Sequence, residues 1–187
     1  VSELGVVAGD TCHLDIIDRW GNMVSATPSG GWLQSSPVIP ELGFCLGTRL
    51  QIAWLDERSA SSLAPGKRPR STMSPTIVFD AAGKPVMAVG AAGGPYIIAY
   101  VTKTILRTLE WGQDVQAAIA APNFADRNGP TELEANTLIV GLEDPLKRMG
   151  HEGEVHPLPG GIQAIAIRPG GLEGGADPRR EGVAIGD

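Results

Sequence analysis

The residues of this chain that could carry chemistry are hydroxyls, glycines and one cation. Thr11 lies in Thr-Cys-His-Leu-Asp-Ile-Ile, a run that suits a strand. A threonine hydroxyl becomes a nucleophile only when a base takes its proton. His13, two residues on, shares the face of Thr11 on an extended strand. That placement gives it a structural or orienting role, with a Thr/His base arrangement as the alternative. Ser29 stands in Pro28-Ser-Gly-Gly31, where turn chemistry alone would place a serine. Ser71 and Thr72 follow the basic, Ser- and Pro-rich loop Glu57–Arg70, where exposed hydroxyls are equally expected. Gly93 and Gly94 close Gly90-Ala-Ala-Gly-Gly94, a strand-to-helix junction that lets backbone approach a ligand. Arg49 suits either a structural ion pair or a carboxylate clamp. No metal centre and no organic cofactor is expected. Cys12 and Cys45 fit no Cys-x-x-Cys or Cys/His spacing and read as free buried thiols in strands; His151 and His156 read as solvated.

Positioning these groups requires mixed α and β structure. Thr11–Ile17 and Met23–Thr27, around the turn Asp18–Asn22, predict a hairpin. Leu33–Leu42 reads as loop because Pro37 and Pro40 exclude a central strand. Phe44–Trp54 reads as a short strand running into irregular chain. Ser74–Phe79 and Pro85–Val89 predict a second hairpin. A helix follows from about Tyr96 to Trp111, then a helix Val115–Ala121 capped by Asp114 and ended by Pro122. Asp144–Met149 is a short helix stopped by Gly150, Leu158–Ile167 holds a strand, and Gly170–Asp187 reads as mostly coil. Hairpins followed by helices predict an α+β or layered α/β fold.

Composition narrows the partners. The chain has 187 residues, 42% hydrophobic and 19% charged, enough for one domain with a core. A net charge of −6 argues against a nucleic-acid partner. No apolar run is long enough to span a membrane. The start at Val1 points to a processed piece or fragment, so the lack of a signal-peptide pattern leaves the compartment open between cytoplasm, slightly preferred, and periplasm or exterior.

Four segments in order carry a resemblance. Asp10-Thr-Cys-His-Leu-Asp-Ile-Ile-Asp-Arg-Trp-Gly-Asn-Met-Val-Ser25 resembles the processing site of γ-glutamyltransferases. Lys67-Arg-Pro-Arg-Ser-Thr-Met-Ser-Pro-Thr76 resembles their serine-rich substrate segment. Gly90–Gly94 resembles their glycine pair, and Ala176-Asp-Pro-Arg-Arg-Glu-Gly182 their C-terminal end. The resemblance implies the αββα four-layer sandwich of N-terminal-nucleophile hydrolases, with this chain its small-subunit portion. Residues 1–10 would end the upstream large-subunit or propeptide region and 11–187 would form the catalytic domain. The partner would be the large subunit of the same precursor, in a heterodimer, and docking would cover an apolar face of this chain. Self-cleavage at Asp10–Thr11 would free the Thr11 α-amine, whose ordinary pKa of about 8 suits a base. Ser29 would support the nucleophile, Gly93 and Gly94 would form the oxyanion hole, and Ser71 and Thr72 would bind a substrate carboxylate.

The sequence also departs from that pattern. After Gly43–Leu46 the family carries an Asn-Asn-Gln-rich acidic segment that binds the substrate amino group; here Gly47-Thr-Arg-Leu-Gln-Ile-Ala53 stands instead, and Gly31 replaces an asparagine. Arg49 would repel an ammonium and attract a carboxylate. The wording resembles the oxamate amidohydrolase and acylase branch, which implies cleavage of a small-molecule amide of a small carboxylic acid through a Thr11 acyl-enzyme. The alternatives are a genuine γ-glutamyltransferase or glutathione hydrolase, and, from another class, an unprocessed binding or scaffold relative.

Overall fold

The computed structural model describes residues 11–30 and 37–186. Asp10 and Gly31 lie outside them. The first hairpin forms as expected: β1 (Leu14–Ile17) pairs antiparallel with β2 (Met23–Ala26). Its turn is held by Asp18, whose Oδ1 accepts from the backbone N–H groups of Trp20 and Asn22 at 2.9 Å each. Two-residue strands β3 (Val38–Ile39) and β4 (Phe44–Cys45) make a small ribbon, consistent with prolines that bar a longer strand.

The central sheet is antiparallel. Strands β5 (Thr76–Phe79) and β6 (Pro85–Ala91) form its hairpin. The helical stretch then begins with a 3-10 turn Gly94–Tyr96, continues as α1 (Ile97–Ile105) and ends in a π-helical turn Leu106–Glu110. Next comes α2 (Val115–Ala120), whose N-cap Asp114 accepts from Ala117 N–H at 2.8 Å. A separate sheet contains β7 (Phe124–Ala125), β8 (Thr131–Glu134) and, after α3 (Glu143–Arg148), β9 (Gly153–His156); β8 and β9 run parallel. Finally β10 (Ile162–Arg168) and β11 (Gly171–Ala176) complete the central sheet, in the order β11-β10-β6-β5.

That sheet has a different layer on each face. Met87, Val89 and Ala91 of β6 alternate toward Ile97, Tyr100, Val115 and Ile119 of the helices. The other face of β6 meets the β1–β2 hairpin, so Ala88 is as buried as its neighbours. Helices, sheet and hairpin thus give three layers, an α+β arrangement.

Several expectations need correction. The tail read as coil contains β11, which escapes a propensity reading because it is glycine-rich. A Cβ at Gly175 would lie 2.9 Å from Ile119 Cδ1, so close packing of α2 accounts for that glycine. Strand β6 runs through Gly90 and Ala91, which looked like part of the glycine turn, because both pair with β10. Cys12 is exposed and Cys45 half-buried, so neither is a buried thiol. His151 is exposed as expected, but His156 is half-buried and its Nε2 lies 3.0 Å from Glu132 Oε2.

Candidate active site

Thr11 precedes β1 and forms an isolated antiparallel bridge with Ser29, which follows β2. The closing of the hairpin therefore brings two hydroxyls together across 18 residues: Thr11 Oγ1 and Ser29 Oγ are 2.6 Å apart. Either can donate. Ser29 is thus positioned to hold or relay the Thr11 hydroxyl proton.

One register step below, His13 is buried with both ring nitrogens engaged. Nδ1 lies 2.8 Å from Thr27 Oγ1 and Nε2 lies 3.0 Å from Asp15 Oδ2. These contacts give His13 an orienting position, not that of a free base. Its ring presses on the central sheet where β6 has Gly90. A Cβ there would lie 2.1 Å from His13 Cε1, so only glycine fits.

Beyond Gly90 the strand delivers Gly93 and Gly94, with φ of +134° and +58°. Both values suit glycine, and at Gly93 a Cβ would also meet Tyr100 Cε2 at 3.0 Å. Four contacts fix this junction. Thr72 Oγ1 donates to Gly94 C=O at 2.8 Å, and Ala92 N–H donates to Gly161 C=O at 2.8 Å. Asp177 Oδ2 accepts from Gly161 N–H at 2.9 Å, while Arg180 Nε donates to Gly160 C=O at 2.7 Å. Burial alone would raise the Asp177 carboxyl, but N–H groups of Arg179 and Gly161 and the Arg179 guanidinium hold it below the ordinary value. The Asp177-Pro-Arg-Arg180 segment therefore backs the glycine junction. Its motif was visible in the sequence; its buttressing contacts were not.

Arg49 opens a single 3-10 turn, Arg49–Ile52. A Cβ on Gly30 would lie 2.4 Å from Thr48 Oγ1 and 3.0 Å from Arg49 Nη2, so this turn closes tightly over the residue after Ser29. Among the described residues no carboxylate pairs with Arg49, and its buried Nε has no hydrogen-bond partner. The ion-pair alternative is therefore not what the described residues provide.

A cleft of about 920 Å³ has Thr11, Ser29, Arg49, Ser71, Thr72 and Gly94 among its lining residues. Gly93 is adjacent to Gly94, as the N-cap of the 3-10 turn Gly94–Tyr96. Ser71 Oγ is turned onto its own loop, accepting from Met73 N–H at 3.1 Å. The cleft also contains Arg70, Lys103 and Arg127, which sequence reasoning did not single out. Lys103 is reached only through tertiary structure. Burial, reinforced by Arg179, pushes its amine down to about 7, although Asp177 and Glu134 oppose the shift. No group of three or more His, Cys, Asp or Glu suited to a metal occurs among the described residues.

A nucleophile-type hydroxyl beside a second hydroxyl, a positive-φ glycine pair and a cationic cleft resemble the machinery of N-terminal-nucleophile enzymes. The gamma-glutamyltranspeptidase family model matches residues 5–187. The chain belongs to this family, whose members are self-processing hydrolases and transferases with a threonine nucleophile, and it has their fold. The glutathione hydrolase proenzyme of Bacillus subtilis is 35% identical over 96% of this chain. This chain spans 31% of that relative's length. The gamma-glutamyltranspeptidase of Pseudomonas nitroreducens complexed with L-DON superposes with a TM-score of 0.78 at 28% identity, covering 95% of this chain and 100% of that one. The structure of LmbA2991T421A matches at 45% identity and a TM-score of 0.76, over 91% of this chain and 33% of that chain. The names of these relatives favour the γ-glutamyltransferase or glutathione hydrolase alternative over the narrower oxamate-type reading.

Proposed function

We propose that this chain is the catalytic portion of a self-processing threonine acyltransferase and amidohydrolase. The 2.6 Å contact between Thr11 and Ser29 carries the reading. In processing, Thr11 Oγ attacks the Asp10 carbonyl and the Asp10–Thr11 peptide bond breaks. Water then hydrolyses the resulting ester, leaving a carboxylate on Asp10 and a free amine on Thr11. In turnover that amine accepts the hydroxyl proton as Oγ bonds to the substrate's carbonyl carbon. The proton passes to the departing amine, and water or an acceptor amine releases the acyl group. Backbone N–H groups at Gly93 and Gly94 would hold the oxyanion, a contribution of about 3–4 kcal/mol to the barrier.

The names of the relatives make γ-glutamyl amides the first substrates to assay. A second reading, an amide of a small dicarboxylic acid with no α-amino group, is supported by Arg49. It carries a positive charge into the cleft with no carboxylate paired to it among the described residues. Ser71, whose O–H is left to donate, would share the substrate carboxylate with Arg49, and Thr72 would join them by turning its O–H away from Gly94 C=O.

The upstream portion of the precursor would be the partner. The outward face of the β1–β2 hairpin exposes Leu14, Ile16 and Val24 by 41%, 55% and 49%, a surface that needs an apolar cover. The test is to express the whole precursor beside Thr11→Ala and sequence the new N-termini. A terminus at Thr11 in the parent alone supports the proposal, whereas an intact chain in both returns Thr11 to a structural role in a binding or scaffold relative.

A further inference from the structure

The cleft reverses the charge of the chain around it. The chain carries a net −6, yet Arg49, Arg70, Lys103 and Arg127 line the cleft against Asp126 as the sole acid among its described lining residues. The Asp126 carboxylate is engaged by its own loop, accepting from Asn128 N–H at 2.9 Å and Thr131 Oγ1 at 3.3 Å.

Two of the four cations are already committed. Arg127 donates to Glu132 Oε1 through Nε at 3.0 Å and Nη2 at 2.6 Å. Lys103 Nζ donates to Ile119 C=O at 3.2 Å, and to Ala121 C=O and Asn123 Oδ1 at 2.8 Å each. Arg49 and Arg70 remain, and one short turn links them. Arg49 begins the 3-10 turn Arg49–Ile52, and Arg70 Nε donates to its last carbonyl, Ile52 C=O, at 3.2 Å. At about 2 Å of rise per residue that turn is roughly 6 Å long. The Arg70 guanidinium carbon also lies over the Trp54 ring, 5.1 Å from its centroid. The head group is therefore held at two points, Nε and the Trp54 face. Both Nη groups have no hydrogen-bond partner among the described residues.

The geometry points to Arg70 as a specificity residue for the amine half of the substrate, recognising a carboxylate on the amine that leaves. The inference rests on the threonine acyltransferase reading above. Arg49 is half-buried against Gly30, beside Ser29, whereas Arg70 is exposed. The acyl half stays on Thr11 while the amine departs and water or an acceptor enters. The amine half must therefore face the open side, where Arg70 stands. A fixed guanidinium with two free Nη groups matches a carboxylate in bidentate fashion. The substrate class is then an N-acyl amino acid or peptide, with the second anion on the leaving group.

The experiment uses the processed full-length enzyme and matched amides. Oxalyl, succinyl, glutaryl and γ-glutamyl acyl halves are each joined to glycine or to ethylamine. The expected result is a KM lower by about tenfold for the glycine amide of whichever acyl half is accepted. Arg70→Leu should erase that preference by raising KM for the glycine amide while leaving the ethylamide unchanged, and Arg70→Lys should restore part of it. Equal KM values for glycine and ethyl amides in the parent enzyme overturn the inference alone. An equal loss on both amides in Arg70→Leu also overturns it, since a structural cation acts on both. No turnover of any member overturns the acyltransferase reading and this inference with it.

Discussion

The imidazole of His13 occupies the space that a Cβ on Gly90 would need, 2.1 Å from such an atom. This contact joins the strand after Thr11 to the strand that leads into Gly93. A ring resting on a glycine thus ties the segment of the candidate nucleophile to the strand that leads to the candidate oxyanion donors.

Gly90→Ala should destabilise the protein by about 1–3 kcal/mol through overpacking, a loss of roughly 2–12 °C in Tm. His13→Ala leaves a void instead. In the double variant the new methyl group enters the vacated space, so thermal unfolding should show the double variant more stable than the sum of the single losses. Simple additivity in the double variant would mean that the ring and the glycine are not coupled.

Ser29→Ala removes the hydroxyl 2.6 Å from Thr11. Processing should slow, and kcat of the processed enzyme should fall on the order of 10²-fold with KM little changed. Ser29→Thr keeps the hydroxyl and should retain most activity. A loss confined to KM would assign Ser29 to substrate binding.

Lys103 gives a pH signature. Its amine, pushed down to about 7 by burial, binds its proton less tightly in the folded chain than in the unfolded chain. Its contribution to stability should therefore fall as pH drops from about 10 toward 7, then level off below 7. Urea unfolding at several pH values should show this slope in the parent and a shallower one in Lys103→Met.

Ile16→Asp should barely alter the stability of the isolated chain, within about 0.5 kcal/mol, because the side chain is 55% exposed. In the whole precursor it should block association with the upstream portion and, with it, processing. Normal assembly of that variant, followed by size-exclusion chromatography, would place the partner on another surface.

Local chemistry made much of the fold legible. Asp18 and Gly21 specify the first turn, Asp114 caps α2, and Pro122 ends it, each by contacts within a few residues. Strand β8 was missed because Thr-Glu-Leu-Glu looks solvated, yet all four residues are buried. Glu132 and Glu134 are neutralised by Arg127, and by Arg179, 45 residues away in the second case. No local pattern reports such a partner. The candidate site divides similarly. Thr11, Ser29 and the glycines stand out as candidates through motifs, but Arg70 does not stand out within its own because its setting depends on Ile52 and Trp54.

The β1–β2 hairpin turns His13, Asp15 and Thr27 inward and leaves Leu14, Ile16 and Val24 outward. Water is thus a poor neighbour for the outer side of the very ribbon that presents Thr11. In a precursor processed as proposed, the ribbon would gain its remaining neighbours by assembling first, and scission would come afterwards on a finished scaffold. Refolding from separated halves would ask the ribbon to find its place without the covalent tether, so under that proposal the uncut precursor would be the form in which this architecture is best reached.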